Sequence, residues 1–174
     1  MAVVIDNVAE AKYGTWCWDT VMSKRNGDGE ITWGPDPELT EIGINQAVEA
    51  KHGWQAELPF NITLPERLYS SPLTRAMDTL RITFEEIVIA DTEGNRSVMV
   101  LESCREENGV HTCDKRRNHS WIHARFPDFD FEEGFEEEDA LWDPEIRETK
   151  AEVADRARKV LDYIFERDTS STCK

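Results

Sequence analysis

The sequence lacks an excess of basic residues, a long apolar segment and closely paired cysteines. Among 174 residues, 36 acidic and 20 basic side chains give a formal net charge of −16. Because this charge repels nucleic-acid phosphates and anionic lipid headgroups, we expect neither a nucleic acid nor a membrane as partner. The apolar run at residues 2–5 is too short for a signal peptide or a membrane span, so we expect a cytoplasmic protein.

The cysteines are scattered along the chain without any C-x-x-C pair. They are Cys17, Cys104, Cys113 and Cys173. In a cytoplasmic protein this pattern predicts free thiols rather than a disulfide framework. Hydrophobic residues make up 39% and charged residues 32% of the chain, which is typical of a globular protein, and the length fits a single domain over residues 1–174.

Turn residues and apolar spacing predict the elements of the first half. The first 38 residues are rich in aromatic side chains around a glycine-rich turn at residues 26–30, and we expect irregular structure there. A helix follows in "ELTEIGINQAVEAK", with Thr40 as its N-cap. Residues 66–70 are a short strand, and a long amphipathic helix then begins with Ser71 as N-cap and Pro72 at the first helical position.

The second half continues the alternation of strands and helices. Residues 98–101 are predicted to form a buried strand, and the last helix opens with a capping box between Thr149 and Glu152. Residues 128–139 hold eight acids in twelve positions, which predicts a solvated loop. The alternation indicates an α/β fold, a sheet covered by helices.

Arg75 is unusual because it lies in the first turn of its predicted helix. A cation there is disfavoured by about 0.3 to 1 kcal/mol unless an anion offsets it. Ser71, the free N–H groups of the helix start and the Arg75 guanidinium together could form a phosphate cradle. The alternative is a solvated helix arginine, and the local electrostatics leave both readings open.

Three motifs carry a family resemblance. They are "LT", "G" and "QA" at residues 39–47, "SPLTRAMDT" at 71–79 and "REENGVHTCDKR" at 105–116. The chain thereby resembles the histidine phosphatase superfamily, specifically its fungal phosphoglycerate mutase-like branch. The resemblance implies a three-layer sandwich in which helices flank a mostly parallel sheet, here truncated at both ends.

The resemblance also implies site residues and a mechanism. In such proteins a histidine attacks a phosphoryl group, arginines and a second histidine hold its oxygens, and a carboxylic acid protonates the leaving oxygen. By resemblance Arg75 is a catalytic and phosphate-binding arginine and Glu106 is the acid. Asn7 matches the asparagine that closes the first family motif, and Arg105 is a further phosphate-binding candidate. The implied partner is a small phosphorylated metabolite.

Both catalytic histidines are missing from the pattern. The slot of the nucleophile falls on Met1, and the strand that carries the second histidine would follow Lys174. The histidines that are present, at 52, 111, 119 and 123, lie where neither strand would place them. We therefore expect an incomplete domain that is inactive and marginally stable by itself, and whether the chain is an enzyme is left open.

Three functional hypotheses remain at this stage. The first is a piece of a phosphatase that hydrolyses small phosphate monoesters through a phosphohistidine, rather than a mutase. The second is a non-catalytic phosphate-binding pseudoenzyme. The third is a zinc-binding module built from Cys104, Cys113, His119 and His123, whose spacing matches no common zinc motif. For the phosphatase no metal or other cofactor is expected, and the oligomeric state is undetermined.

Overall fold

A computed structural model describes residues 2–89 and 97–167. The helices are α1 (Ile5–Tyr13), α2 (Thr15–Thr20), α3 (Glu41–Glu57), α4 (Thr74–Phe84), α5 (His119–Arg125) and α6 (Lys150–Arg167). The strands are β1 (Leu68–Ser70), β2 (Val98–Val100) and β3 (Phe129–Phe131). None of the helices in these two ranges is long and apolar enough to cross a membrane.

The three strands form one parallel sheet in the order β1-β2-β3. The connection from β1 to β2 contains α4, and the connection from β2 to β3 contains α5. Val98 and Val100 of the central strand are completely buried, as expected for a parallel strand that is covered by helices. The predicted α/β fold, a mostly parallel sheet flanked by helices, is confirmed.

The predicted helix after residue 38 is also confirmed. Thr40 caps α3, since its hydroxyl oxygen accepts a hydrogen bond from the Gly43 N–H at 3.0 Å. A side chain at position 43 would collide with the Val3 carbonyl oxygen, 2.2 Å from where a Cβ would lie, which explains the glycine. The capping box of α6 forms as predicted, with Thr149 and Glu152 each binding the other's backbone N–H.

The prediction of irregular structure over the first 38 residues is wrong. This region contains α1 and α2, which form a second small core with Trp33, a side chain that is fully buried. Trp18 of α2 meets Trp33 edge to face, with 5.6 Å between the ring centroids. The aromatic residues therefore stabilise a local helical layer by burying their surface against one another.

The predicted start of α4 is wrong by two residues. Ser71 and Pro72 precede the helix, and Leu73 in extended conformation is the N-cap. The cause is a contact distant in sequence, because the carboxylate of Asp36 accepts hydrogen bonds from the Thr74 backbone N–H at 2.9 Å and from its hydroxyl at 2.7 Å. Asp36 thus supplies the capping oxygen that we expected from Ser71.

The acidic segment 128–139 is not simply a solvated loop. Its first part pairs with β2 as β3. The carbonyls of the three consecutive glutamates 136–138 accept hydrogen bonds from Arg116, and the buried Asp139 side chain pairs with Arg105. The glutamate side chains at 136–138 face solvent while their backbone turns inward, a distinction that charge density alone does not reveal.

Candidate functional site

A groove of about 710 Å³ opens between α4 and α6. Its walls are largely apolar, with Leu80 and Phe84 from α4 and Val160 and Leu161 from α6. Its polar and charged lining residues are Ser71, Arg75, Thr79, Thr83, Ser103, Arg105 and Glu106. The structure thus brings together the start of α4 and the turn after β2, the two places where the sequence predicted site residues.

Arg75 lies at this groove and keeps hydrogen-bonding capacity. One guanidinium nitrogen donates to the Cys113 carbonyl at 2.8 Å, and another lies 3.6 Å from an oxygen of Asp114. Its side chain is 14% exposed. Because a guanidinium has five N–H donors, these two contacts orient it and leave donors for an anion in the groove.

The start of α4 already has an anionic partner, Asp36. The carboxyl group is fully buried, and this burial raises its pKa while the two hydrogen bonds from Thr74 oppose the rise. Sequence reasoning missed this residue because 38 positions separate it from Thr74. Asp36 is thus one anion at the start of the helix, and the protein supplies it. The Arg75 head group remains the candidate for binding an external anion.

Arg105 lines the groove, but its guanidinium is turned into the protein. It makes two parallel hydrogen bonds to Asp139, at 2.8 and 3.1 Å, and also pairs with Glu102. The side chain is 1% exposed. A direct contact with phosphate would require breaking a buried bidentate ion pair, which is costly.

Glu106 is exposed at the groove, as a proton donor to a leaving group must be. Arg156 of α6 fixes the backbone around it, because its guanidinium donates to the carbonyls of residues 103, 105 and 106 at 2.6 to 2.8 Å. The carboxylate of Glu106 therefore extends from a turn with a well-defined backbone.

Asn7 contacts a groove residue, Val4, but does not line the groove itself. Its side-chain oxygen accepts a hydrogen bond from the Val4 N–H at 3.2 Å at the start of α1, and it is not among the groove residues. Met1, the slot of the nucleophile, lies outside the described residues. No histidine in the described parts of the chain lines the groove.

The zinc ligands proposed from the sequence do not come together. His119 packs against Phe131, with 4.5 Å between the ring centroids, while Cys113 belongs to the core around Trp33. Among the described residues, the group that does assemble is His111, Cys113 and Asp114, with donor atoms within 4.8 Å of one another. The predicted free thiols are confirmed for Cys17, Cys104 and Cys113, and Cys173 lies outside the described residues.

The surroundings of the assembled trio favour ion pairs with arginine over a metal ion. Asp114 receives ion pairs from Arg147 and Arg75, and its other neighbour, the Cys113 thiol, donates to it at 3.7 Å. Burial strongly raises the pKa of Cys113, which disfavours the thiolate that a metal would need. Two guanidinium groups beside the trio also repel a cation.

Comparison with known proteins decides the family. A family model of the histidine phosphatase superfamily (branch 1) matches residues 20–173. The chain belongs to the histidine phosphatase superfamily. It is 44% identical over 165 residues to a probable phosphoglycerate mutase of Arthroderma benhamiae, covering 95% of this chain and 49% of that protein. It is 33% identical over 177 residues to a probable phosphoglycerate mutase of Saccharomyces cerevisiae, covering 91% and 59%.

A solved structure, Mycobacterial hydrolase 1, is similar over 78% of this chain and 57% of that chain, with a TM-score of 0.44 and 23% identity. The chain spans about half the length of the curated fungal relatives that it matches. The resemblance inferred from the three motifs, to fungal phosphoglycerate mutase-like members of this histidine phosphatase superfamily, is confirmed.

Proposed function

We propose that this chain carries the phosphate-binding arginine and the general acid of a phosphatase that hydrolyses small phosphate monoesters. The observation that supports it most is that Arg75 and Glu106, distant in sequence, line the same groove. A phosphoryl group held by Arg75 would lie in the groove that Glu106 also lines. These two side chains can therefore serve the two charges that develop in the reaction, on the transferring oxygens and on the leaving oxygen.

The proposed reaction has two steps. A histidine nitrogen attacks phosphorus while the ester P–O bond breaks and Glu106 gives its proton to the departing alcohol. Water, losing a proton to Glu106, then attacks the phosphohistidine and releases phosphate, which restores the histidine and the acid. Arg75 donates hydrogen bonds to the phosphoryl oxygens in both steps.

The nucleophilic histidine would come from polypeptide present in a longer form of the protein. The groove supports this proposal, because its walls are apolar and Leu161 remains 52% exposed at one of them. Filling it with apolar strand residues would bury these walls, and burial contributes about 25 cal/mol per Å² of apolar surface. The coverage of about half of each fungal relative is consistent with such additional segments.

A phosphatase fits the charges of the described lining residues better than a mutase does. Two arginines line the groove, and Arg105 is already bound to Asp139. This leaves one guanidinium for one phosphoryl group, whereas a mutase must also hold a second phosphate or a carboxylate. A small phosphorylated metabolite in the cytoplasm is accordingly the substrate that we propose.

The test is a kinetic comparison in the protein translated from the complete transcript. We expect Arg75→Ala to lower kcat/KM at least tenfold, which corresponds to about 1.4 kcal/mol of transition-state stabilisation. Glu106→Gln should slow hydrolysis of an alkyl phosphate strongly and of p-nitrophenyl phosphate weakly, since nitrophenolate leaves without protonation. Glu107→Gln, which removes the neighbouring carboxylate paired with Arg147, is the matched control. It should change kcat/KM for neither the alkyl phosphate nor p-nitrophenyl phosphate. Equal losses on both substrates in Glu106→Gln would remove it as the acid.

The second candidate is a phosphate-binding pseudoenzyme, favoured by the absence of a histidine among the described groove residues. It predicts that inorganic phosphate or vanadate raises the Tm of the protein without any turnover. Detectable hydrolysis that is lost in Arg75→Ala would decide for the phosphatase.

A further inference from the structure

Asp36 combines a buried carboxyl group with an unusual backbone conformation, and its neighbours in sequence explain neither. Its side chain is buried, with 1% of the residue exposed, and its backbone has φ = 54°, in the left-handed region. A buried carboxylate in a backbone conformation that costs of order 1 kcal/mol persists only where its contacts compensate. What these contacts hold in place is therefore informative.

The contacts of Asp36 all lead to the surroundings of Arg75. One carboxylate oxygen accepts from the Thr74 N–H at 2.9 Å and the other from the Thr74 hydroxyl at 2.7 Å. The backbone of Arg117 also lies close enough to the carboxyl group to oppose the rise in its pKa, which favours the charged form. Thr74 is fully buried and directly precedes Arg75 in α4.

The head group of Arg75 is held from the same side. Cys113 and Asp114, which contact the guanidinium, lie four and three residues before Arg117 in the chain. Asp36 thus links the backbone at the base of the Arg75 side chain to the segment that orients its tip. One buried carboxylate thus contacts the residue before Arg75 and lies near the segment that contacts its head group.

We propose that Asp36 is a positioning residue that fixes Arg75 in the orientation needed to bind a phosphoryl group in the groove. This inference rests on the proposed function of Arg75. Asp36 is not among the residues that line the groove, so it does not contact a ligand there itself. Its effect on phosphate must therefore pass through Arg75.

Three variants separate positioning from general stability. Asp36→Asn keeps the shape and removes the charge, and Thr74→Val removes one of the two hydrogen bonds. Asp78→Asn is the matched control, since Asp78 is also a buried carboxylate of α4, 6% exposed, but pairs with Arg81 and Arg125. We expect all three to lower Tm, but only the first two to weaken phosphate binding.

A double-mutant cycle tests whether the effect passes through Arg75. Titration calorimetry with vanadate, in the protein from the complete transcript, should show a tenfold or greater loss of affinity for Asp36→Asn. In an Arg75→Met background the same change should cause no further loss. An additive loss, or an equal loss in Asp78→Asn, would overturn the positioning role.

A measurement without ligand keeps this inference distinct from the proposed function. The side-chain Nε–H signal of Arg75, assigned by its disappearance in Arg75→Lys, should show high ¹⁵N order in the wild type. It should become mobile in Asp36→Asn and Thr74→Val and remain ordered in Asp78→Asn. If Arg75 stays ordered in Asp36→Asn, the positioning role of Asp36 is wrong, whatever the vanadate affinity. If Arg75 is ordered in the wild type and mobile in Asp36→Asn but the wild type binds no vanadate, only the proposed function is contradicted.

Discussion

Arg116 and Arg75 are both arginines in buried surroundings, but their contacts differ in kind. The guanidinium of Arg116 is fully enclosed, with both oxygens of Glu102 on one edge and four backbone carbonyls on the others. Arg75 has one carbonyl and one long ion pair, and it faces a groove. The comparison shows that the protein engages nearly all donors of Arg116 but only some of those of Arg75, and we expect this number to distinguish a structural arginine from one that can bind a ligand.

Arg105 and Arg156 belong with Arg116. Arg105 is saturated by Asp139 and Glu102, and Arg156 by Glu148 and three carbonyls. These three arginines tie the turn after β2, the acidic segment and α6 into one network. Arg156 of this network binds the carbonyl of Glu106, so the backbone of the candidate acid is held by a cation that is already engaged by the protein.

The largest effect on stability is expected from removing the enclosed guanidinium of Arg116. Arg116→Met keeps the stem but leaves Glu102 and the carbonyls without their donor, so we expect a loss of about 3 to 5 kcal/mol in the free energy of unfolding. Urea unfolding of the purified protein measures it. Arg158→Met, at an exposed position of α6, is the control and should stay within about 0.5 kcal/mol of the wild type. A loss below 1 kcal/mol for Arg116→Met, on the same scale, would show that its hydrogen bonds are not net stabilising.

At Arg75 we expect a smaller loss of stability but a clear loss of anion affinity. Arg75→Met removes one hydrogen bond and a long ion pair while Asp114 keeps Arg147, so the unfolding free energy should fall by only about 1 kcal/mol. Vanadate affinity should fall at least tenfold, or about 1.4 kcal/mol. Urea unfolding and calorimetry on the same samples give both values, and a stability loss like that of Arg116→Met would place Arg75 among the structural arginines.

Local sequence patterns predicted those parts of the fold that depend on nearby residues. The Thr40 cap and the capping box of Thr149 and Glu152 involve residues three positions apart, so the sequence shows them directly. The family motifs likewise indicated that Arg75 and Glu106 belong to one site, and the structure places both at one groove. Whether Arg105 and Asn7 bind phosphate stays a prediction.

What the sequence could not show depends on contacts across long separations. Asp36 caps a helix 38 residues away, and Arg116 is enclosed by carbonyls some twenty residues later in the chain. Charge patterning describes side chains, so the acidic segment looked like a solvated loop although its backbone carbonyls bind a buried cation. Every residue has a backbone carbonyl, so the residue type does not indicate which carbonyls bind a side chain.

The smallest effect concerns pH and the pair of Arg156 with Glu148. Hydrogen bonds from Arg156, at 2.8 and 2.6 Å, lower the pKa of Glu148 below its ordinary 4.5. A carboxyl group whose folded pKa is lowered stabilises the fold above its unfolded value, and this contribution is lost as the pH falls through the folded pKa. Glu148→Gln should therefore be less stable at neutral pH and lose less stability on acidification below 4.5, while Glu133→Gln at an exposed site should follow the wild type. If the two variants show the same pH dependence of the unfolding free energy, the ion pair of Glu148 with Arg156 does not stabilise the fold. The three carbonyls bound by Arg156 would then hold the Glu106 turn without help from Glu148, as backbone acceptors enclose Arg116.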